Sequence, residues 1–396
     1  MNKVFIVKTN RTPYGKIGGL LAPVRPDDLL AHCLKNITSD LPFDLEKIDD
    51  IYIGCANQAG EDNRNIARMS STLAGIPFSV PATTINRLCA SSLDAIGSAY
   101  ARIKSGLADC IIAGGVESMS RAPYVMSKTS SPFGRDQKMW DSSFGWRFPN
   151  KKMEEIFPLL GMGQTAENLV DKYNISREDQ DAFALSSHLK SSKNKSFIKS
   201  TLLPIEVSLR KKIYTVDFDE CVRESSSLEA LSNLKPVFKK NGTVTAGNSS
   251  PMNDGAGSTL IVSENFLNQH DFDFAIEITG YATAGVHPDT MGIGPVESTK
   301  KLFKQTKSDV DNYDLFEMNE AFAVQVLACQ RELNIPLEKV NLIGGAISMG
   351  HPLGASGARL VHQVFHQLKN NSCLKSALAT MCVGVGQGVT STFKKV

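Results

Sequence analysis

One cysteine stands where the sequence itself suggests chemistry. Cys89 follows an apolar, strand-like run that ends at Leu88, and it precedes small residues that open a long helical pattern. The positive end of a helix can lower the pKa of a thiol into the roughly 3.5–7.5 range of activated cysteines. The alternative is a buried cysteine that packs as a small apolar residue. The position therefore predicts either a reactive thiol of depressed pKa or a core residue.

A histidine and a second thiol lie among glycines near the C-terminus. His351 is within residues 344–357 (GGAISMGHPLGASG), and Cys382 is within residues 381–388 (MCVGVGQG). Glycine allows a ligand to approach the main chain closely. Because Pro352 follows His351, the histidine is kept out of the helical region, and we expect it on a turn.

An asparagine occupies a similar junction in the second half of the chain. Asn319 lies between a strand-like run, residues 313–318, and a helical pattern. An asparagine there serves either as a helix N-cap or as a site residue.

In this order, these segments resemble the thiolase family along essentially the whole chain. The family pattern is also matched by residues 114–120 (GGVESMS), 165–168 (TAEN), 179–181 (DQD), 245–248 (TAGN), 253–256 (NDGA) and 319–322 (NEAF). Residues 54–65 (GCANQAGEDNRN), 145–148 (GWRF) and 382–385 (CVGV) are most similar to the 3-oxoadipyl-CoA thiolase branch.

The resemblance implies a thiolase fold of the α/β class. Two similar βαβαβαββ halves, residues 1–264 and 272–396, would form a five-layered αβαβα core, and a loop domain at about residues 121–245 would be inserted in the first. It also implies a homodimer or homotetramer. Coenzyme A would be a substrate, with no permanently bound cofactor and no metal.

The resemblance assigns roles that suit these residue types. Cys89 would be the nucleophile, because an acyl-cysteine is a thioester of energy comparable to the substrate. His351 would take the thiol proton, and Cys382 would be the acid/base at the α-carbon. Asn319, through a water, and His351 would stabilise the enolate oxygen, and the backbone N–H groups of Cys89 and Gly384 would form a second oxyanion hole.

Contacts with coenzyme A transfer from the family by position. They would be made by Met162, Arg223, Ala246, Ser250, Met291, Ala321 and Phe322, with Arg223 meeting phosphate and Ser250 the pantetheine amide.

Three positions depart from the family pattern. Gly161 replaces a histidine of biosynthetic members, which makes acetoacetyl-CoA synthesis less favoured, and Pro251 replaces a glycine. Ser92 replaces a glycine three residues after the nucleophile. We expect its side chain to lie near the acyl group and to alter substrate preference.

Composition agrees with an enzyme of this kind. The 396 residues, 42% of them hydrophobic, suffice for two or three packed units, and the net charge of +2 gives no sign of nucleic-acid binding. No apolar stretch is long enough to cross a membrane. The eight scattered cysteines predict neither a disulfide framework nor a zinc site, and we expect a cytoplasmic protein without a transit peptide.

Alternating strand-like and helical runs independently predict parallel α/β layering. An internal similarity between residues 110–120 and 340–350 suggests that these two segments are equivalent in the two halves.

Two other functions are alternatives to an active thiolase. A decarboxylating 3-ketoacyl synthase would have histidine or asparagine partners without a second catalytic cysteine, and Cys382 argues against it. A non-catalytic acyl-CoA- or lipid-binding relative would be expected to have lost part of the tetrad, whereas Cys89, Asn319, His351 and Cys382 are all present.

Overall fold

The computed structural model describes residues 2–209 and 212–396. The strands are β1 (Val4–Arg11), β2 (Gly15–Lys16), β3 (Asp50–Gly54), β4 (Ala82–Ile85), β5 (Cys110–Ser118), β6 (Tyr124–Met126), β7 (Met139–Asp141), β8 (Ile205–Leu209), β9 (Lys212–Val216), β10 (Asn253–Ser263), β11 (Ile276–Gly285), β12 (Leu315–Met318), β13 (Ser376–Val383) and β14 (Gln387–Lys395). The helices are α1 (Pro26–Ile37), α2 (Ile66–Leu73), α3 (Ser91–Lys104), α4 (Lys151–Ile156), α5 (Met162–Tyr173), α6 (Arg177–Lys193), α7 (Lys195–Thr201), α8 (Leu228–Ser232), α9 (Glu264–Gln269), α10 (Gly294–Thr306), α11 (Ala323–Leu333), α12 (Ala346–Met349) and α13 (Ser356–Asn370).

The main sheet has two halves of the same topology. Its strand order is β12-β13-β14-β11-β1-β10-β5-β3-β4. In the first half β1, β10 and β5 are antiparallel neighbours, and β3 and β4 continue parallel to β5. In the second half β11, β14 and β13 repeat the antiparallel part, and β12 is parallel to β13. The predicted pair of similar halves is therefore confirmed.

The halves meet where β1 pairs with β11 through Phe5 with Glu277 and Ile6 with Ile276. Helices α3 and α13 pack against each other and against strands of both halves, and they form the central layer. Helices α1 and α2 cover the outer face of the first half, and α10 and α11 cover that of the second. This arrangement gives the predicted five layers.

The two central helices approach closely because a glycine lies between them. A Cβ atom at Gly357 would come within 2.4 Å of the backbone nitrogen of Leu93. On α13 the apolar face is buried, with Val361, Val364 and Leu368 inaccessible to solvent. The first turns of α3 and α13 therefore lie side by side at the centre of the molecule.

The predicted equivalence of residues 110–120 and 340–350 is wrong. Residues 110–118 form β5, whose topological counterpart is β13. Val340 makes an isolated parallel bridge to Phe316, so it occupies the place of β4. A strand does not continue there because Asn341 has a left-handed φ of 47° and its side chain bonds both backbone polar groups of Met318 at 2.8 and 2.9 Å.

Between β5 and β10 the chain forms α4–α8 and two separate hairpins, β6–β7 and β8–β9. Within the described ranges, no helix is both long and apolar enough to cross a membrane.

Candidate active site

Cys89 lies in a tight turn between β4 and α3. Residues 88–90 form one 3-10 turn, which Leu88 enters with a left-handed φ of 48°. The backbone N–H of Gly384 donates a hydrogen bond to the Cys89 thiol. The thiol lines a cavity of about 280 Å³, together with Leu88, Met162, Gly384 and residues of the segment 142–147.

Of the two sequence alternatives for Cys89, the structure does not favour a thiol of depressed pKa. Burial raises the pKa of Cys89 to about 11, and the hydrogen bond from Gly384 offsets this only in part. The negative charge of Glu117 acts in the same direction as burial. Because α3 begins at Ser91, two residues after the thiol, desolvation outweighs the helix terminus.

His351 lies on a turn between α12 and α13, as its sequence context predicts. Its backbone N–H donates to the side-chain oxygen of Asn253 at 2.9 Å, and its Nδ1 lies 2.6 Å from Oγ of Ser356. Burial, aided by the positive charge of Arg359, lowers the pKa of His351 to about 3. The imidazole is therefore neutral near pH 7 and retains a lone pair with which to accept a proton.

Asn319 is a buried side chain of the same site and not an N-cap. Helix α11 begins at Ala323, with Phe322 in the N-cap position. The amide nitrogen of Asn319 lies 3.4 and 3.5 Å from the two ring nitrogens of His351. The N-cap alternative is therefore excluded, and a role for Asn319 in the site stays a prediction.

Cys382 is the second thiol next to Cys89. It lies near the end of β13 and is 2% exposed. Burial raises the pKa of Cys382 well above its ordinary value, and the nearby Cys89 thiol raises it further. Two protonated thiols thus lie within electrostatic range of each other at neutral pH.

The residues predicted to bind coenzyme A divide among three places. Met162 lines the cavity at Cys89, whereas Arg223 and Ala246 line a second cavity of about 310 Å³. Met291, Ala321 and Phe322 belong to one apolar cluster with Cys382, against which Met162 packs. Ser250 lies beside this cluster, since its backbone N–H donates to the carbonyl of Ala321 at 3.0 Å.

The expectation that Ser92 faces the acyl group is wrong. Ser92 is fully buried, and its Oγ accepts a hydrogen bond from the backbone N–H of Ala358 at 2.9 Å. It faces the first turn of α13 and does not line the cavity at Cys89. Pro251, the other departure, lines the second cavity.

One trio of potential metal ligands lies behind the cavity. Ligand atoms of Cys55, Asp62 and Glu117 are within 4.8 Å of one another. The carboxylate of Glu117 already accepts three backbone N–H groups, and the Cys55 thiol donates to the carbonyl of Asn57 at 2.8 Å. These bonds account for the burial of the trio without an ion.

Family models match both halves of the chain. The model described as "Thiolase, N-terminal domain" matches residues 4–265, and "Thiolase, C-terminal domain" matches residues 273–395. The chain belongs to the thiolase family. It is 49% identical over 399 residues to the beta-ketoadipyl-CoA thiolase of Pseudomonas aeruginosa, covering 100% of this chain and 99% of the relative. It is 46% identical over 402 residues to the 3-oxoadipyl-CoA/3-oxo-5,6-dehydrosuberyl-CoA thiolase of Escherichia coli, covering both chains fully.

Solved thiolase structures agree with the fold. The acetyl-CoA acetyltransferase of Bacillus anthracis superposes with a TM-score of 0.92 at 35% identity, covering 100% of this chain and 99% of the other. Human mitochondrial 3-ketoacyl-CoA thiolase in complex with CoA gives a TM-score of 0.90 at 37% identity, with coverages of 100% and 98%.

Sequence reasoning missed two buried charges that support the site of this thiolase. Glu117 accepts backbone N–H groups of Ala56, Asn57 and Gly354 at 2.8–3.0 Å, and burial raises its pKa to about 7. Arg359 is fully buried and donates to Asn319 at 3.0 Å. Glu117 lies within the matched run at residues 114–120, so a charged residue among glycines was an available signal. Arg359 gave none, because it lies on a helix whose apolar pattern alone was informative.

Proposed function

We propose that this thiolase uses coenzyme A to cleave a 3-oxoacyl-CoA of the 3-oxoadipyl type, giving acetyl-CoA and succinyl-CoA through an acyl group on Cys89. The observation that carries the assignment to Cys89 is its place in the cavity wall, with the N–H of Gly384 on its sulfur and a second thiol, Cys382, in electrostatic range. The substrate follows from the names of the Pseudomonas and Escherichia relatives.

In the first half-reaction, His351 takes the proton of Cys89 as the sulfur attacks the 3-oxo carbon. The bond between C2 and C3 then breaks, and its electron pair leaves as the enolate of acetyl-CoA. Asn319 and His351 stabilise the enolate oxygen, while the N–H groups of Cys89 and Gly384 stabilise the oxygen of the attacked carbonyl. Cys382 donates its proton to C2, and acetyl-CoA departs.

In the second half-reaction, the Cys382 thiolate takes the proton of an incoming coenzyme A thiol. The new thiolate attacks the acyl-Cys89 thioester, and the acyl group leaves as acyl-CoA. The Cys89 sulfur then recovers its proton from His351, so the enzyme returns to its starting state. The same steps in reverse give a Claisen condensation.

Coenzyme A enters this scheme as a substrate and not as a resident cofactor. Its thiol end would lie near Met162, Met291, Ala321 and Phe322, which surround Cys382. Ser250 and Ala246 lead from that cluster to the exposed guanidinium of Arg223, which is suited to phosphate.

We also propose a division into domains at residues 1–264 and 272–396, with the lobe at 121–245 inserted in the first. The separate hairpins and helices between β5 and β10 support the inserted lobe. A homodimer or homotetramer working in the cytoplasm completes the proposal. The eight cysteines are all free thiols, which fits a reducing compartment.

The test separates the two thiols. Cys382→Ala should still form an acetyl-enzyme on Cys89 when given acetyl-CoA, detected by mass spectrometry. It should lose thiolysis of 3-oxoadipyl-CoA and acetoacetyl-CoA by the roughly 10²–10⁴-fold that general acid–base catalysis contributes. Cys110→Ala, which removes a buried thiol from the topologically equivalent strand β5, is the matched control and should retain activity. Near-full turnover by Cys382→Ala would remove this residue from the mechanism, and a wild-type enzyme inactive on both substrates would refute the proposal.

A further inference from the structure

One side chain brings positive charge into the cavity at Cys89. Among the described residues that line this cavity, Arg147 is the one cation, and most of its neighbours there are apolar or aromatic, including Phe144, Trp146 and Leu160. We propose that Arg147 binds the distal carboxylate of the acyl chain and so selects dicarboxylic 3-oxoacyl-CoA substrates. The inference rests on the proposed function, because it requires that the acyl chain is carried on Cys89.

Most N–H groups of the Arg147 guanidinium have no acceptor among the described residues. Its Nη1 donates to the backbone carbonyl of Ser142 at 3.1 Å, which uses one of its five N–H groups. No carboxylate of residues 2–209 or 212–396 lies within 4.0 Å of it. Asp62 is near enough to feel its charge, although burial keeps the pKa of Asp62 above its ordinary value. A half-buried guanidinium whose one hydrogen-bond partner is a neutral carbonyl can bind a carboxylate through bidentate hydrogen bonds.

The segment that carries Arg147 is anchored, which gives the cation a defined position. Oγ of Ser142 donates to the carbonyl of Pro123 at 2.6 Å and accepts from the side chain of Asn57 at 3.1 Å. The indole N–H of Trp146 donates to the carbonyl of Leu160 at 3.0 Å. Ser142, whose carbonyl accepts from Arg147, and Trp146, which precedes Arg147, are thus both held by hydrogen bonds.

The size and polarity of the cavity restrict the ligand class. A volume of about 280 Å³ lies just below the roughly 300–1,000 Å³ of drug-sized ligand pockets, so it suits a short acyl chain. Arg147 is half-buried and has no ion-pair partner among the described residues, so it can take a carboxylate as its counter-ion. A four-carbon acyl group attached to Cys89 and ending in a carboxylate would supply that counter-ion.

Three substrates isolate the carboxylate. 3-Oxoadipyl-CoA and 3-oxohexanoyl-CoA have acyl chains of equal carbon number, and only the first ends in a carboxylate, while acetoacetyl-CoA leaves only an acetyl group on Cys89. For Arg147→Gln we expect kcat/KM for 3-oxoadipyl-CoA to fall roughly 10- to 100-fold, the range of a hydrogen bond to a charged group. Values for the other two substrates should not change. Arg147→Lys should retain part of the preference for 3-oxoadipyl-CoA. Its kcat/KM should fall more steeply with added salt for 3-oxoadipyl-CoA than for the two substrates without a terminal carboxylate.

Arg135→Gln, an exposed change in the same lobe, is the matched control and should leave all three values unchanged. An equal loss on both six-carbon substrates would overturn the inference and make Arg147 a structural residue. Equal wild-type kcat/KM for 3-oxoadipyl-CoA and 3-oxohexanoyl-CoA would also overturn it, while the proposed thiolase activity would stand. A wild type inactive on all three substrates would overturn the proposed function together with the inference.

Discussion

The guanidinium of Arg359 donates a hydrogen bond to the side-chain oxygen of Asn319 at 3.0 Å, and neither residue is accessible to solvent. Because the amide oxygen is engaged, the amide nitrogen faces the ring of His351. The same cation is, after burial, the second cause of the low pKa of His351. One buried charge therefore orients one proposed oxyanion donor and, together with burial, keeps the other neutral.

Replacing Arg359 should disturb activity through these two residues. In Arg359→Gln the positive charge is lost, so the pKa of His351 should rise from about 3. A larger fraction of His351 is then protonated at a given acid pH, and the acid limb of the kcat profile should move to higher pH. The loss of kcat should not exceed the roughly 10²–10³-fold that removal of an oxyanion donor costs.

Arg359→Lys is the charge-preserving control for this change. It should keep the acid limb where the wild type has it, even if misplacement of Asn319 lowers kcat. Thermal unfolding of both variants reports the structural cost of altering a buried residue. An acid limb that stays in place in a folded Arg359→Gln protein would contradict the electrostatic role.

The raised pKa of Cys89 predicts how the thiol reacts in the free enzyme. With a pKa of about 11, the inactivation rate with iodoacetamide should rise roughly tenfold per pH unit between pH 7 and 10, because the thiolate is the reactive form. Acetyl-CoA should protect. Since Cys373 is exposed, Cys373→Ser provides the clean background in which Cys89 is labelled before the other cysteines. Peptide mass spectrometry that finds activity lost with Cys89 unlabelled would refute its assignment as nucleophile.

The sequence was informative wherever a local pattern determined the result. Strand-like and helical runs predicted α/β layers, but the predicted parallel pairing is wrong for the central strands, which are antiparallel. The glycine-flanked His351 lies on a turn as expected. The pKa of Cys89 could not be predicted, because it depends on desolvation by segments far away in the chain. The false equivalence of residues 110–120 and 340–350 arose from the similar composition of the two segments. The bridge between Val340 and Phe316 instead puts the second segment in the place of β4. The prediction for the Ser92 side chain was wrong because its hydrogen-bond partner, Ala358, belongs to the other half of the molecule.

Ser92 should therefore affect stability and leave substrate choice unchanged. Ser92→Ala leaves the backbone N–H of Ala358 without its acceptor in a buried position, which should cost roughly 1–3 kcal/mol of unfolding free energy. Ser92→Gly should cost more, because glycine also weakens the helix by roughly 0.5–1 kcal/mol. Denaturant unfolding measures both, and the ratio of kcat/KM for 3-oxoadipyl-CoA to that for acetoacetyl-CoA should equal that of the wild type. A changed ratio in either variant would place Ser92 at the substrate after all.

The buried carboxyl of Glu317 predicts a dependence of stability on pH. Its carboxyl is fully buried, one oxygen accepts from Gln367 at 2.7 Å, and the other has no partner among the described residues. Burial raises its pKa from 4.5 to about 7, against the opposing charges of Arg359 and Lys190 and with the help of Glu320.

Because the folded-state pKa is raised, the stability that this group contributes is fully present below pH 4.5 and is lost as the pH rises through 7. Glu317→Gln keeps an acceptor for Gln367 and does not ionise, so it should match the wild type near pH 4 and exceed it by roughly 3 kcal/mol at pH 8. Urea unfolding at both pH values measures the difference, in which all other titrating groups cancel. Glu338→Gln, at an exposed glutamate, is the control and should give no such gain. An equal difference between Glu317→Gln and wild type at the two pH values would show that Glu317 does not change its ionisation between them.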